Sequence, residues 1–258
     1  MGNAKYYAAN TEAIQQQYAE EQEQSQRDAT WLKLPEGPSR LRICPPWSEA
    51  GLACQKITSF NVLDGDKRQS ILSYQYIFES PSVMKYLGQQ QLITKTDYQQ
   101  WQKHGDPFLT VAKRAKEMLT EGEYKKTKEL WPRTQFVWNI INRKDATPKA
   151  YKWSTSKKFY EAVMMQTQFC KNLFDPELGF DLMITATGEG GTLSRRYGPP
   201  MFIPEAVSLG LGDNDTLFNL DKELSASVRP FAEYVQLLVA NKATLLQRLG
   251  INPAEWNQ

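Results

Sequence analysis

The stretch from Trp131 to Lys158, WPRTQFVWNIINRKDATPKAYKWSTSKK, limits what this chain can fold into more than any other. Two runs rich in aromatic and β-branched residues flank a polar turn, the signature of paired β-strands, whose side chains alternate between the two faces of a sheet. We place these strands over residues 134–143 and 149–154. The stretch also carries Arg133, Arg143, Lys144, Lys149, Lys152, Lys157 and Lys158 against Asp145 alone, a local charge of +6 in a chain of formal net charge +2. The rest of the chain is therefore net acidic, and positive charge gathered in one segment is the footprint of a polyanion partner. Phe136, Trp138, Tyr151 and Trp153 interleave with these cations. Flat apolar rings beside cations suit unpaired bases, each stacked base contributing about 1–3 kcal/mol, whereas duplex DNA hides its base faces. The competing reading is that the rings are ordinary strand residues packed into a core.

Alternation sharpens that choice. Phe136, Trp138 and Ile140 share one face of the first strand, and Val137 and Ile141 share the other. The aliphatic pair suits the interior of a small barrel and leaves Phe136 and Trp138 to an open groove, which is the assignment expected here. Ile140, on the same side as the two rings, is the argument for the reverse.

At 258 residues the chain is long enough for one large domain or two small ones. It has no apolar run near the ~20 residues of a membrane span, and its Gln- and Glu-rich start lacks the pattern of a signal peptide. The expected location is intracellular. Cys44, Cys54 and Cys170 are too few and too scattered for a disulfide framework.

Residues 1–30 read as a polar arm. Tyr7, Ile14 and Tyr18 fall near helical spacing among glutamines and carboxylates. The folded core is expected to span residues 31–204, with strands at 40–44 and 54–63 and a helix from about Pro107 to Gly122. Residues 66–106 read as an insertion of mixed periodicity, extended over 73–78 and helical over 94–104 with a Thr94 or Thr96 cap. Ser156 is placed to cap a helix over 157–173, and a hairpin over 180–187 and 192–202 turns at Gly188 to Gly191. Residues 205–258 read as a linker followed by a helix over 227–249, with Pro230 in its first turn and Gly250 as its stop. Mostly antiparallel strands with few helices predict a β + α chain built on a small closed barrel.

Placed in this order, the segments resemble the phage single-stranded-DNA-binding proteins related to the helix-destabilising protein of the T-even phages. Three stretches carry the resemblance. The first is Trp31-Leu32-Lys33-Leu34 with Gly37 and Arg40-Leu41-Arg42-Ile43-Cys44-Pro45-Pro46; the second is Trp131 to Asp145; the third is DPELGFDLMITATGEGGTLSRRY from Asp175 to Tyr197. The resemblance covers about residues 31–204. It implies an oligonucleotide-binding barrel (OB-fold) that holds unpaired DNA during replication, recombination and repair, in the cytoplasm of a bacterial host, beside replisome or recombination proteins. Residue by residue it assigns Arg133, Phe136, Trp138 and Arg143 to the central strand and Arg195, Arg196 and Tyr197 to the strand after the Gly-rich turn. With Lys144, Lys149, Tyr151, Lys152 and Trp153 from the basic segment, these are the expected nucleic-acid-binding residues.

The chain departs from that family in three ways. Family members with structural zinc cluster Cys and His between early strands, whereas here Cys44 and Cys54 are ten apart and His104 is the only histidine. The arm is acidic, with Lys5 and Arg27 against Glu12, Glu20, Glu21, Glu23 and Asp28, and the C-terminal end reads as a helix instead of an acidic tail. No metal and no cofactor are expected. Cooperative assembly and tail-mediated recruitment therefore do not carry over from the family, and self-association through the N-terminal arm or the C-terminal helix stays open.

Two other classes of function compete. A metal-dependent nuclease needs convergent carboxylates, for which Asp175, Glu177, Asp181 and Glu189 are the candidates and a loop-and-hairpin origin the simpler account. Gly188-Glu189-Gly190-Gly191 lacks the Lys-Ser/Thr ending of a phosphate loop and reads as a turn. No catalytic residue is expected. An adaptor acting through its arm and C-terminal helix is the other alternative to DNA binding.

Overall fold

A computed structural model describes residues 30–47, 51–64, 67–90, 93–119, 131–188, 196–212, 217–225 and 228–252. The N-terminal arm, most of the Gly-rich turn and Arg195 lie outside them. The chain divides into two compact units, each assembled from three separate stretches. The first comprises Met1–Cys44, Asn139–Trp153 and Asn172–Thr216; the second comprises Pro45–Trp138, Ser154–Lys171 and Leu217–Gln258.

In the first unit the central strand is β1 (Gly37–Ile43). With β2 (Cys54–Asp64), β3 (Lys67–Leu72), β4 (Arg133–Asn142), β5 (Ala150–Ser156), β6 (Phe180–Thr187), β7 (Arg196–Tyr197) and β8 (Met201–Ala206), it makes up the strands of the described chain. β1 runs antiparallel to β6 from Gly37↔Ala186 to Arg42↔Asp181, and to the end of β4 from Leu41↔Asn142 to Ile43↔Ile140. β6 carries β7 and β8 on its other edge, also antiparallel. Alternation does the rest: Leu41, Ile43, Leu182, Ile184 and Ala186 point to one face and are buried with Leu34. Each large aliphatic side chain so buried stabilises the unit by roughly 1.5–3 kcal/mol.

In the second unit β2 pairs antiparallel with β3 and with the first half of β4, from Cys54↔Trp138 to Ser59↔Arg133. Around this ladder lie α1 (Tyr74–Glu79), α2 (Pro81–Gln90), α3 (Lys95–His104), α4 (Pro107–Met118), α5 (Lys157–Thr167), α6 (Leu220–Ser225) and α7 (Phe231–Leu249). Thr94 caps α3 through a reciprocal box with Asp97, as its sequence predicts. Gly250, at φ 71°, ends α7 in the left-handed conformation that glycine adopts at least cost. Pro230 sits at the N-cap of α7, one position before the first turn where it was expected.

Residues 73–78 were expected to be extended; only Ser73 is, as the N-cap, and the rest lie in the helix Tyr74–Glu79. A distant carboxylate overrides the local alternation. Asp106, 3% exposed, accepts from Ser73 Oγ at 2.7 Å, from the Gln75 amide at 3.3 Å and from Tyr234 Oη at 3.1 Å, while capping α4 through the Phe108 and Leu109 amides. Tyr74 and Ile77, three residues apart and both buried, then face the core from one side of α1. Tyr74 packs against Phe231 and Tyr234, and Phe108 against Phe60 and Tyr234. The C-terminal helix thus shares a core with the 66–106 insertion.

The chain is of mixed α and β class with antiparallel strands, as expected. Neither unit's ladder closes on itself among the described residues, so the sheet is open where a closed barrel was expected. No helix among them is long and apolar enough to cross a membrane.

Burial makes the protein sensitive to alkali. It pushes the thiols of Cys44 and Cys54 up to about 12 and the Tyr76 phenol up to about 12, and it raises Tyr74 and Tyr234 as well. A raised folded-state pKa stabilises fully below the unfolded value, near 9 for thiols and 10 for phenols, and that stability is lost as pH climbs toward the folded value. Urea midpoints should therefore hold below pH 9 and fall between pH 9 and 12, a fully buried thiol such as Cys44 contributing about 1 kcal/mol per pH unit. Equal midpoints at pH 8 and pH 10.5 would contradict this.

Candidate nucleic-acid interface

The face of the β1–β6 ladder opposite the first unit's core carries the charge. Residues directly opposite in an antiparallel pair share a face, so Arg42 lies beside Asp181, Arg40 beside Met183, and Pro38 beside Thr185. Burial grades along this row. Arg42 and Asp181 are fully buried, Arg40 and Met183 half-buried, and Pro38, Thr185 and Thr187 exposed. Arg196 stands opposite Thr187, and Met201, 62% exposed, opposite Met183.

At the buried end, one carboxylate holds two guanidiniums. Asp181 accepts from Arg40 Nε at 2.7 Å, from Arg143 Nε at 3.1 Å and from Arg143 Nη2 at 3.0 Å. Arg143 also donates to the Leu209 and Ser208 carbonyls at 2.9 and 2.8 Å, which fastens the segment after β8 to the sheet. Arg42 gives Nη2 to the Asp175 carbonyl, and its Nε and Nη1 find no partner among the described residues. Burial lowers the pKa of Arg42, and the Asp181 charge opposes that shift. Gly179 is fixed by this packing, because a Cβ there would overlap the Arg42 guanidinium and the Asp175 carbonyl. Arg40, Arg42 and Arg143 against Asp181 and the nearby Asp175 carboxylate leave positive charge in excess at the buried end of the row, next to its open end. Lys144 adds to it, its exposed ammonium donating to the Pro38 carbonyl at 3.1 Å.

No protein-family model matches this chain, and no curated protein does. The reading of the interface rests on the geometry.

The aromatic platform expected on β4 and β5 is overturned at three of its four rings. Every residue of β4 from Phe136 to Ile141 is buried, so both faces of the strand are covered. Trp138 is 0% exposed, donates Nε1–H to Thr155 Oγ1 at 2.8 Å and meets Phe159 edge-on. Phe136 stacks on Tyr160, with centroids 4.0 Å apart and planes 7° apart. The base-like partner of Phe136 is thus a tyrosine of α5, the helix laid over this face of the strand. Trp153 is buried and edge-on to Tyr197, which is itself half-buried. The rings hold the core, and so do Ile140 on their face and Val137 and Ile141 on the other, so neither face of this stretch is left for a groove. Tyr151 keeps partial exposure. Its hydroxyl donates to Asp145 at 2.6 Å, Lys149 Nζ lies 5.0 Å over its ring, and burial together with the Asp145 bond pushes its pKa up to about 12.

The cations divide in the same way. Arg143 is taken up by Asp181, and Lys152 is buried with its ammonium 5.4 Å over the Trp31 ring. Lys157 pairs with Glu161 at 3.4 Å on the surface of α5. Arg133, Lys144, Lys149, Lys158 and Arg196 are exposed, and Arg195 lies outside the described residues.

Two of the carboxylates weighed for a nuclease, Asp175 and Asp181, have other work. Asp175 Oδ1 accepts the Glu177 and Leu178 amides, which lowers its pKa and caps a turn; Asp181 is buried among arginines; Glu189 lies outside the described residues. Among the described residues no group of three or more His, Cys, Asp or Glu could hold a metal ion. Sequence reasoning passed over Arg40, Met183, Thr185 and Met201 as site residues. The signal was present in Arg40-Leu41-Arg42-Ile43, where strict alternation puts both arginines on one face and both aliphatics on the other.

Proposed function

We propose that the chain binds single-stranded DNA without strong sequence preference and protects it during phage-type replication, recombination and repair inside a bacterial host. One observation carries this reading: a sheet face that opens to solvent at one end while at its buried end two arginines share one carboxylate and a third, Arg42, is packed beside it. A polyanion offsets that excess charge, and the contacts release counterions. The face also presents the hydroxyls of Thr185 and Thr187 and the thioethers of Met183 and Met201, so apolar contact with unstacked bases comes from methionine where aromatic rings were expected. Duplex DNA offers this face phosphates only. The first unit is read as part of an oligonucleotide-binding barrel, with replication or recombination proteins as further partners. No bond is made or broken, and no cofactor enters.

The test is a titration of labelled oligo-dT and of a duplex of equal length at several salt concentrations. Affinity for oligo-dT should exceed that for the duplex, and log K should fall with log salt by about 0.7 for each phosphate contacted. Equal affinity for duplex, or a flat response to salt, would remove the proposal.

A further inference from the structure

We infer that Arg40 and Lys144 form a seat for one backbone phosphate of the bound strand, and that Asp181 is the positioning residue that aims Arg40 into it. This rests on the single-strand reading and names the contact within it. Arg40 spends only its Nε on Asp181, at 2.7 Å. Its Nη1 and Nη2 have no partner among the described residues, and its side chain is 38% exposed. A guanidinium tied at Nε presents the far edge of its planar fork, the edge that meets two phosphate oxygens at once. Lys144 flanks the same stretch of β1. Its ammonium donates to the carbonyl of Pro38 at 3.1 Å, two residues from Arg40, on the strand edge where the Arg40 carbonyl accepts the Arg143 amide. A lysine donates three hydrogens, so one bond to Pro38 leaves two for a phosphate oxygen. Thr185, directly across from Pro38, adds a hydroxyl at the edge of the seat.

Arg143 differs in kind. It gives Nε and Nη2 to Asp181 and its remaining contacts to two carbonyls, with only 16% of its side chain exposed, so it holds the seat's floor and does not reach the ligand. Asp181 is fully buried beneath both arginines. Its charge alone opposes binding of an anion. Its geometry favours binding, by ordering Arg40 before the strand arrives.

That opposition of sign is what an experiment can read. The probe is labelled oligo-dT, measured by anisotropy over a range of salt, with circular dichroism confirming that each variant is folded. Arg40→Gln and Lys144→Gln should each weaken binding about tenfold near 0.1 M salt and reduce the salt slope by about 0.7, one phosphate contact for a single strand. Asp181→Asn removes a negative charge, so a site governed by charge alone would bind more tightly; positioning predicts binding several-fold weaker. If Asp181→Asn fails to fold, Arg40→Lys serves, since it keeps the charge and loses the Nε–H. Positioning then predicts a near wild-type slope with several-fold weaker binding. Folded Arg40→Gln with unchanged affinity and slope, or Asp181→Asn with tighter binding, overturns the seat while leaving the wider reading intact. A wild-type protein that ignores oligo-dT at low salt overturns both.

Discussion

Replacing Trp138 by alanine is expected to destabilise the protein by about 3–5 kcal/mol, the cost of removing a buried large aromatic and leaving a cavity. The ring is fully buried and edge-on to Phe159, and its Nε1–H is bonded to Thr155 Oγ1. Thr155 Oγ1 also donates to the Phe136 carbonyl, so truncation strips one partner from a buried hydroxyl that ties β5 to β4. Binding of oligo-dT by the folded fraction should stay within about twofold, because a buried ring has no base to lose. Denaturation and binding measured on this one variant separate core from platform. A stable Trp138→Ala protein that had lost its DNA affinity would restore the aromatic groove.

The second large effect belongs to Asp106. Asp106→Ala should cost about 4 kcal/mol or more, since it removes the cap of α4 and leaves several buried donors without an acceptor, each worth roughly 1–3 kcal/mol. Those donors are the Ser73 and Tyr234 hydroxyls and the Phe108 and Leu109 amides, so the change strikes α1, α4 and α7 together. Asp106→Asn keeps one oxygen acceptor and should lose distinctly less. Guanidinium denaturation of both variants gives the comparison. A loss below 1 kcal/mol for Asp106→Ala would mean that the hub does not organise the second unit.

These two residues show what the sequence discloses and what it withholds. Alternation located β4 and β6 to within a residue, and local chemistry located the Thr94 cap, the Ser156 cap and the Gly250 stop, because such signals act over a few residues. Tyr74 to Phe78 was misread because its conformation is decided by Asp106, some thirty residues away. The platform was misread for a related reason. Period two shows that Phe136 and Trp138 share a face, but which face is covered depends on where α5 lands, and that is a tertiary fact. The basic segment concealed a further division. Arg143 and Lys144 are adjacent in sequence, yet one is locked to a buried carboxylate and the other stands in solvent. The resemblance motifs placed Arg40 and Arg42 in one stretch and Asp181 in another, and only the register of β1 on β6 brings them to a common site.

Chemical footprinting of arginines and lysines, with and without saturating oligo-dT, reads out directly whether single-stranded DNA lies on the open face of the β1–β6 ladder. Arg40, Lys144 and Arg196 are expected to lose most of their reactivity when the oligonucleotide is bound and to recover it at high salt, as contacts made through phosphates must. Unchanged reactivity of all three at saturating oligo-dT would contradict this placement.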